Sequence, residues 1–319
     1  MDNGLDYFFK ESYNWYMKFR HVLYFSFFWI STIIFRRKKP ILGTIILTDK
    51  CNLSCKHCAV NNIKGEIYSY HQIRNDMKIL YDQGIRILIF CGGEPFLWNN
   101  QNRNVRDLVI EAKQMGFLTV NVVTNGTFKL DLPEADLILV SLDGNRESHN
   151  LIRGEIFDIV LYNIRTAASS NLCLFMAINT INFKDIQYVC DIAVQEKNIR
   201  AVSFNFHTPY LGTEYLALTR EQKEKCLENI KMLIKLKYPI LNAQSAFSAI
   251  ASNSFKPFFL GRIIENGKQS ICGRCIEIDR LCENCGYFFA AECSLIFNGS
   301  IKVAFDIFST YKKYLYKGN

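Results

Sequence analysis

Six short apolar runs alternating with helical stretches predict an α/β fold, an open partial (βα)6 TIM-like barrel. The runs, at residues 43–47, 85–90, 119–123, 137–142, 172–179 and 202–206, are mostly apolar, as expected for strands covered on both faces. Six strands are too few to close an eight-stranded barrel. The polar motifs all follow strand C-termini, where such folds carry their chemistry.

Three parts follow: an apolar and basic segment at 1–40, the barrel at 41–245, and a cysteine-rich extension at 246–319. In the first, Tyr7-Phe8-Phe9 and Tyr13-Asn14-Trp15-Tyr16-Met17 lead into an uncharged run at 22–35 that holds Phe25, Phe27, Phe28, Trp29, Ile30, Ile33 and Ile34. Arg36-Arg37-Lys38-Lys39 come next. As a helix the run reaches about 22 Å, short of the roughly 30 Å hydrocarbon core. It suits an N-terminal apolar helix lying in one leaflet, its basic cluster on anionic head groups. The alternatives are a true span, which would leave the bulk of the protein cytoplasmic, and a helix packed across the main domain.

Within the barrel, Ser69 can cap a helix whose Ile73, Met77 and Leu80 recur at helical spacing up to Gly84. Residues 106–115, 157–168 and 185–196 read as further helices. After Thr219 a charged helix runs to about Lys237, and Tyr238-Pro239 ends it. Residues 240–244 suit a seventh short strand. Past Ala246 the alternation gives way to Cys272, Cys275, Cys282, Cys285 and Cys293.

With 319 residues, 49% hydrophobic and 21% charged, the chain can bury a full-sized core and is not a disordered one. Its start, Met1-Asp2-Asn3-Gly4-Leu5-Asp6, is acidic where a secretory signal would be basic. The twelve cysteines include clusters at metal-ligand spacings, which fits a reducing, cytoplasmic compartment better than a disulfide framework. A net charge of +8 without an aromatic-and-basic motif argues for no nucleic-acid partner.

The chemistry concentrates in Cys51-Asn52-Leu53-Ser54-Cys55-Lys56-His57-Cys58. Three thiolates spaced C-x3-C-x2-C after a strand suit one inorganic centre, a structural zinc or an iron–sulfur cluster. With only three protein thiolates, a four-iron cubane would keep one iron for a ligand that is not protein. Further along, Gly92-Gly93-Glu94-Pro95 follows the second strand, Thr124-Asn125-Gly126 the third, and Ser141-Leu142-Asp143-Gly144 the fourth, with Arg153-Gly154 beyond.

Taken together, these motifs resemble the signature of the radical S-adenosylmethionine (SAM) superfamily, in unbroken order over residues 41–245. The resemblance implies a [4Fe-4S] cluster on Cys51, Cys55 and Cys58, with SAM chelating the open iron. Reductive cleavage of SAM would give a 5′-deoxyadenosyl radical that acts on the substrate. It also implies cofactor-binding roles: His57 near adenine, Gly92, Gly93 and Glu94 at the methionine amino group, and Ser141 and Asp143 at the ribose. Asn125 and Arg153 are weaker candidates, since Asn-Gly is a standard turn pair and Arg153 could pair with Glu155. Asn179, Asn182, Asn205, His207 and Tyr210 follow the fifth and sixth strands and are substrate-side candidates. Cys91, Cys173, Cys190 and Cys226 read as small buried hydrophobes.

The C-terminal pattern C-x2-C-x6-C-x2-C-x7-C resembles the auxiliary-cluster extensions of SPASM and twitch proteins, though compressed. Cys272, Cys275, Cys282 and Cys285 are the expected ligands of an auxiliary iron–sulfur cluster or, alternatively, of zinc. The aromatic region at 305–316 suits a terminal helix docked on the domain or, as the alternative, a second membrane contact. The expectation is thus a radical SAM enzyme associated with the membrane through its N-terminal segment. It would be served by a reductase or other electron donor, with a small-molecule or lipid substrate, even an isoprenoid one. The alternatives are peptide maturation and a non-catalytic iron–sulfur binding protein.

Overall fold

Six apolar runs pair as parallel strands: β1 (Leu42–Ile46), β2 (Ile87–Cys91), β3 (Thr119–Thr124), β4 (Leu137–Ser141), β5 (Leu172–Ile178) and β6 (Ile199–Phe206). This computed structural model describes residues 22–314, apart from 29, 36, 38, 59–63, 257–260, 273, 274, 276 and 277. The aromatic stretch at 7–17, Trp29, Arg36 and Lys38 lie outside the described residues. Two more strands extend the sheet: β7 (Gly261–Glu265) pairs parallel with β1, and β8 (Lys268–Ile271) antiparallel with β7. The eight-stranded order is β6-β5-β4-β3-β2-β1-β7-β8, an open sheet as expected for a partial barrel.

The seventh strand is therefore on the far side of β1 and not at 240–244. There Ile240 makes only an isolated parallel bridge to Val202. Val202 N donates to Pro239 O at 2.7 Å and Leu241 N to Val202 O at 2.9 Å, and the backbone pairing stops with them. Beyond it the Asn242 side chain accepts from Phe204 N at 2.7 Å and donates to Phe204 O at 3.1 Å, taking the place of a backbone ladder.

Helices join the strands: α2 (Tyr70–Asp82), α3 (Val105–Met115), α4 (Arg146–Arg153), α5 (Phe157–Thr166), α6 (Ile186–Gln195) and α7 (Arg220–Lys235), after a helical stretch α1 at residues 22–28. Ser69 caps α2 by accepting from Gln72 N, and Thr219 with Gln222 forms a capping box on α7. Such caps contribute about 1 kcal/mol each. The extension adds α8 (Phe247–Ser252), α9 (Phe288–Phe297) and α10 (Ile301–Tyr314).

Burial alternates along β2 and β3, which corrects the expectation of continuous two-sided cover there, while β4, β5 and β6 are buried over most of their length. Leu88, Phe90, Val120 and Val122 are fully buried, whereas Ile87, Ile89, Asn121 and Val123 are half-buried. A Cβ on Gly43, in register with Leu88, would meet Leu80 of α2, so the fully buried face is the helix side. The other face is only partly filled because the sheet does not close. Its floor is plugged near the strand N-termini, where Leu137, Cys173, Ala201 and Leu241 pack with Leu139 and Tyr314.

The N-terminal run packs on the body of the protein in part. Tyr24 Oη donates to Gly84 O at 2.9 Å, and Phe28 packs with Ala290 of α9, Ile41 and Leu42. Val22, Leu23, Phe27, Ile34 and Phe35 are exposed. Among the described residues no helix is long and apolar enough to cross a membrane.

Candidate active site

The cysteine loop leaves β1 already fastened to the end of β2. Leu47 N donates to Cys91 O, Gly93 N to Thr48 O at 2.7 Å, and Glu94 N to Lys50 O at 2.9 Å. Parallel pairing thus continues past both strands, up to the residue before Cys51. The two glycines make this approach feasible: a Cβ on Gly92 would lie 2.2 Å from Thr48 O, and one on Gly93 2.1 Å from Lys50 O. The loop's return is tied by Asp49, whose carboxylate accepts from Lys64 N at 2.7 Å and Glu66 N at 2.5 Å.

Glu94 is fully buried and joins the ends of β2 and β3. Oε1 accepts from Phe96 N and Thr124 Oγ1, and Oε2 from Asn125 N at 2.7 Å. Burial raises its carboxyl to about 7, against these donors. Asn125, so held, donates to Asn52 Oδ1 at 2.9 Å and to the Cys51 sulfur at 3.8 Å. Asn52 in turn donates to Thr127 Oγ1 at 2.9 Å.

From the other side comes the end of β4. Ser141 is buried there, and Asp143 is 0% exposed. Asp143 Oδ1 accepts from Ala177 N at 2.9 Å, and Oδ2 from Arg153 Nε at 2.6 Å. Burial alone would raise the Asp143 carboxyl, but Arg153 and His57 outweigh it and hold it below its ordinary value. Arg153 also points Nη1 at the Cys55 sulfur, 3.8 Å away, and Nη2 at His57 Nε2, 3.4 Å away. It does not pair with Glu155, which instead accepts from Asn150. Burial lowers the His57 imidazole to about 4, with Asp143 opposing and Arg153 adding to the fall, so the ring is neutral.

Burial likewise raises the Cys55 thiol to about 11, Arg153 pulling it down and Cys58 and Cys51 pushing it up. Among the described residues no group of three or more His, Cys, Asp or Glu side chains is arranged to hold a metal ion. The donor set nevertheless fits an iron–sulfur centre. Three thiols share one short loop, and the N–H groups of Asn125 and Arg153 face two of the sulfurs, which suits anionic thiolate ligands.

Of the candidates beyond the fifth and sixth strands, Asn179 and Asn182 are buried and hold turns, Asn182 donating to Asp143 O at 3.2 Å. Asn205 Oδ1 accepts from Phe288 N of α9. His207 stands edge-on to His57, ring centres 6.3 Å apart, with Nε2 at 2.9 Å from Thr213 Oγ1. Cys173, Cys190 and Cys226 are buried as expected, but Cys91 is half-buried at the end of β2.

The C-terminal cysteines dock on the end of β6 through Gly286. A Cβ there would lie 2.0 Å from Phe206 O; Phe206 N donates to Gly286 O at 2.8 Å. Burial raises the thiols of Cys275 and Cys285 to about 12, and Cys272 and Cys282 push each the same way. Cys272, Cys285 and Cys293 pack against one apolar cluster with Phe28 and Ala290, and burial raises the Cys293 thiol too. Tyr287, two residues past Cys285, meets Tyr210 hydroxyl to hydroxyl at 3.0 Å.

Sequence reasoning missed α4 and its His149, together with Asn52, Thr127 and Tyr287. The signal for α4 was there: Asn145 before Glu147, with Gly154 just past the helix end.

Residues 45–193 match the family described as the Radical SAM superfamily. An iron coproporphyrin III synthase of Methanosarcina barkeri is 28% identical over 242 residues, 69% of this chain and 56% of that protein. The sporulation killing factor maturation protein SkfB of Bacillus subtilis is 30% identical over 177 residues, 52% of this chain and 42% of its own length. The chain thus spans about half the length of these relatives. Among solved structures, Streptococcus suis SuiB bound to S-adenosylmethionine superposes with a TM-score of 0.59 at 11% identity, covering 86% of this chain and 67% of SuiB. That likeness concerns the fold. With the family match lying over the motifs at the ends of β1 to β4, residues 45–193 are a radical SAM domain.

Proposed function

We propose that the chain is an enzyme that cleaves SAM reductively at a [4Fe-4S] cluster held by Cys51, Cys55 and Cys58. One observation carries this reading: the ends of β2, β3 and β4 all converge on the cysteine loop, with Asn125 at the Cys51 sulfur and Arg153 at the Cys55 sulfur. A non-catalytic iron–sulfur carrier would not need that convergence. Held by Cys51, Cys55 and Cys58, the cluster would supply the reducing electron, drawn from an external donor, for radical chemistry on the substrate. The chain's own part is to position and to exclude water. Ser141 and Asp143, both buried at the end of β4, are the candidates for the ribose. Neutral His57 is the candidate to pack near adenine.

Cys272, Cys275, Cys282 and Cys285 are the proposed ligands of an auxiliary cluster, with zinc as the rival that metal analysis decides. For the substrate we favour a peptide over a lipid. SkfB, 30% identical over its matched part, is named as the maturation protein of a killing factor, and the second cysteine site stands at the mouth of the barrel. The lipid reading draws on the apolar run at 22–35, part of which packs on the protein instead. A contact with an anionic membrane surface is supported by the exposed Val22, Leu23, Phe27, Ile34 and Phe35 beside Arg37 and Lys39.

The chain reconstituted anaerobically with iron and sulfide, then reduced with SAM present, is expected to release 5′-deoxyadenosine. Cys55→Ala abolishes the release and Cys282→Ala retains part of it. No release from the wild type would sink the enzyme reading, and equal loss in both variants would sink the division into two sites. Mass shifts between cells with and without the protein, confined to peptides, are expected. Shifts confined to lipids would return the substrate to the lipid reading.

A further inference from the structure

Helix α4 is tied to the cysteine loop more closely than a connection between β4 and α5 requires. His149 and Arg153 stand four residues apart and share one face of it. His149 is 0% exposed, and its Nδ1 accepts the backbone N–H of Asp143 at 3.1 Å, which puts the ring proton on Nε2. Among the described residues Nε2 has no hydrogen-bond partner, and the ring lies edge-on to Phe157. The same Asp143 is pinned to β5 through Ala177 and takes Arg153 Nε on its other oxygen. Arg153 then reaches Cys55 and His57, while the Ile152 carbonyl accepts from Lys56 N at 2.9 Å. The end of α4 thus touches Cys55, Lys56 and His57 in succession.

We propose that α4 is the latch that seats the cluster loop, and that Arg153 is a positioning residue that fixes Cys55 and sets the charge its sulfur experiences. This rests on the cluster assignment proposed above. Two roles can be separated by chemistry. The Ile152 carbonyl and Lys56 amide suffice to hold the backbone, whereas a guanidinium beside the sulfur adds a positive charge in a poorly solvated place. That charge favours the reduced, more negative cluster. Its removal makes the cluster harder to reduce.

The test is a mediated redox titration of the reconstituted chain without SAM, followed by EPR, for the wild type, Arg153→Gln and Arg153→Lys. Iron content and far-UV circular dichroism are measured on each. Arg153→Gln is expected to shift the midpoint potential to more negative values, and Arg153→Lys, which keeps the charge, to return it toward wild type. An unchanged potential in Arg153→Gln at wild-type iron content overturns the proposal. If Arg153→Gln binds no iron, Arg153→Lys carries the test: restored iron binding supports the latch and continued loss overturns it. A wild type that binds no cluster fails the underlying assignment instead, and shows it before any variant is made.

Discussion

Gly93 and Glu94 show how residue identity and residue role separate. The motif was legible in the sequence, and so was its place after the second strand. What the glycines do was not legible, because a missing side chain does not say which backbone comes close. They let the protein's own chain at Thr48 and Lys50 approach, before any cofactor is considered. Glu94 joins β2 to β3. A methyl group on Gly93 would meet a backbone carbonyl that cannot swing aside. Gly93→Ala is therefore expected to lower unfolding stability by about 1–3 kcal/mol and to cut the iron bound on reconstitution. Denaturant unfolding checks the first and iron analysis the second. Wild-type values in both would mean that this pairing does not shape the loop.

At the scale of elements, the barrel strands and most helices followed from apolar runs and caps such as Ser69 and Thr219. The hairpin of β7 and β8 was missed although Asn266 and Gly267, both at positive φ, sit between two short runs as a turn signal. Its polar strand Lys268-Gln269-Ser270-Ile271 lacks the apolar pattern that marked the others, since it is an edge strand with exposed residues. The α1 region was ambiguous for another reason: an apolar run looks the same whether protein or lipid covers it. Phe28 is covered by protein, while its neighbour Phe27 is exposed. Vesicles rich in anionic lipid are expected to sediment the full chain, and replacing Phe27, Ile34 and Phe35 by Ser to weaken this. Equal sedimentation of the variant, or none of the wild type, removes the membrane contact.

For the whole molecule, order along the chain was the most legible feature. Motifs at successive strand ends converge because parallel strands put all their C-termini at one edge of the sheet. Less legible was the return of the extension. Its hairpin joins β1, its cysteines dock on β6, and α10 sends Tyr314 to the barrel floor, contacts that depend on residues far apart in sequence. Two cysteine sites thus share one body, and only the Cys51–Cys58 loop is expected to bind SAM. EPR of the reduced chain with and without SAM tests this most directly, using the wild type, Cys55→Ala and Cys282→Ala. SAM should change the cluster spectrum in the wild type and in Cys282→Ala and leave Cys55→Ala unaltered. A SAM-dependent change that survives in Cys55→Ala, or that vanishes in Cys282→Ala with the first cluster intact, would contradict this division between the two sites.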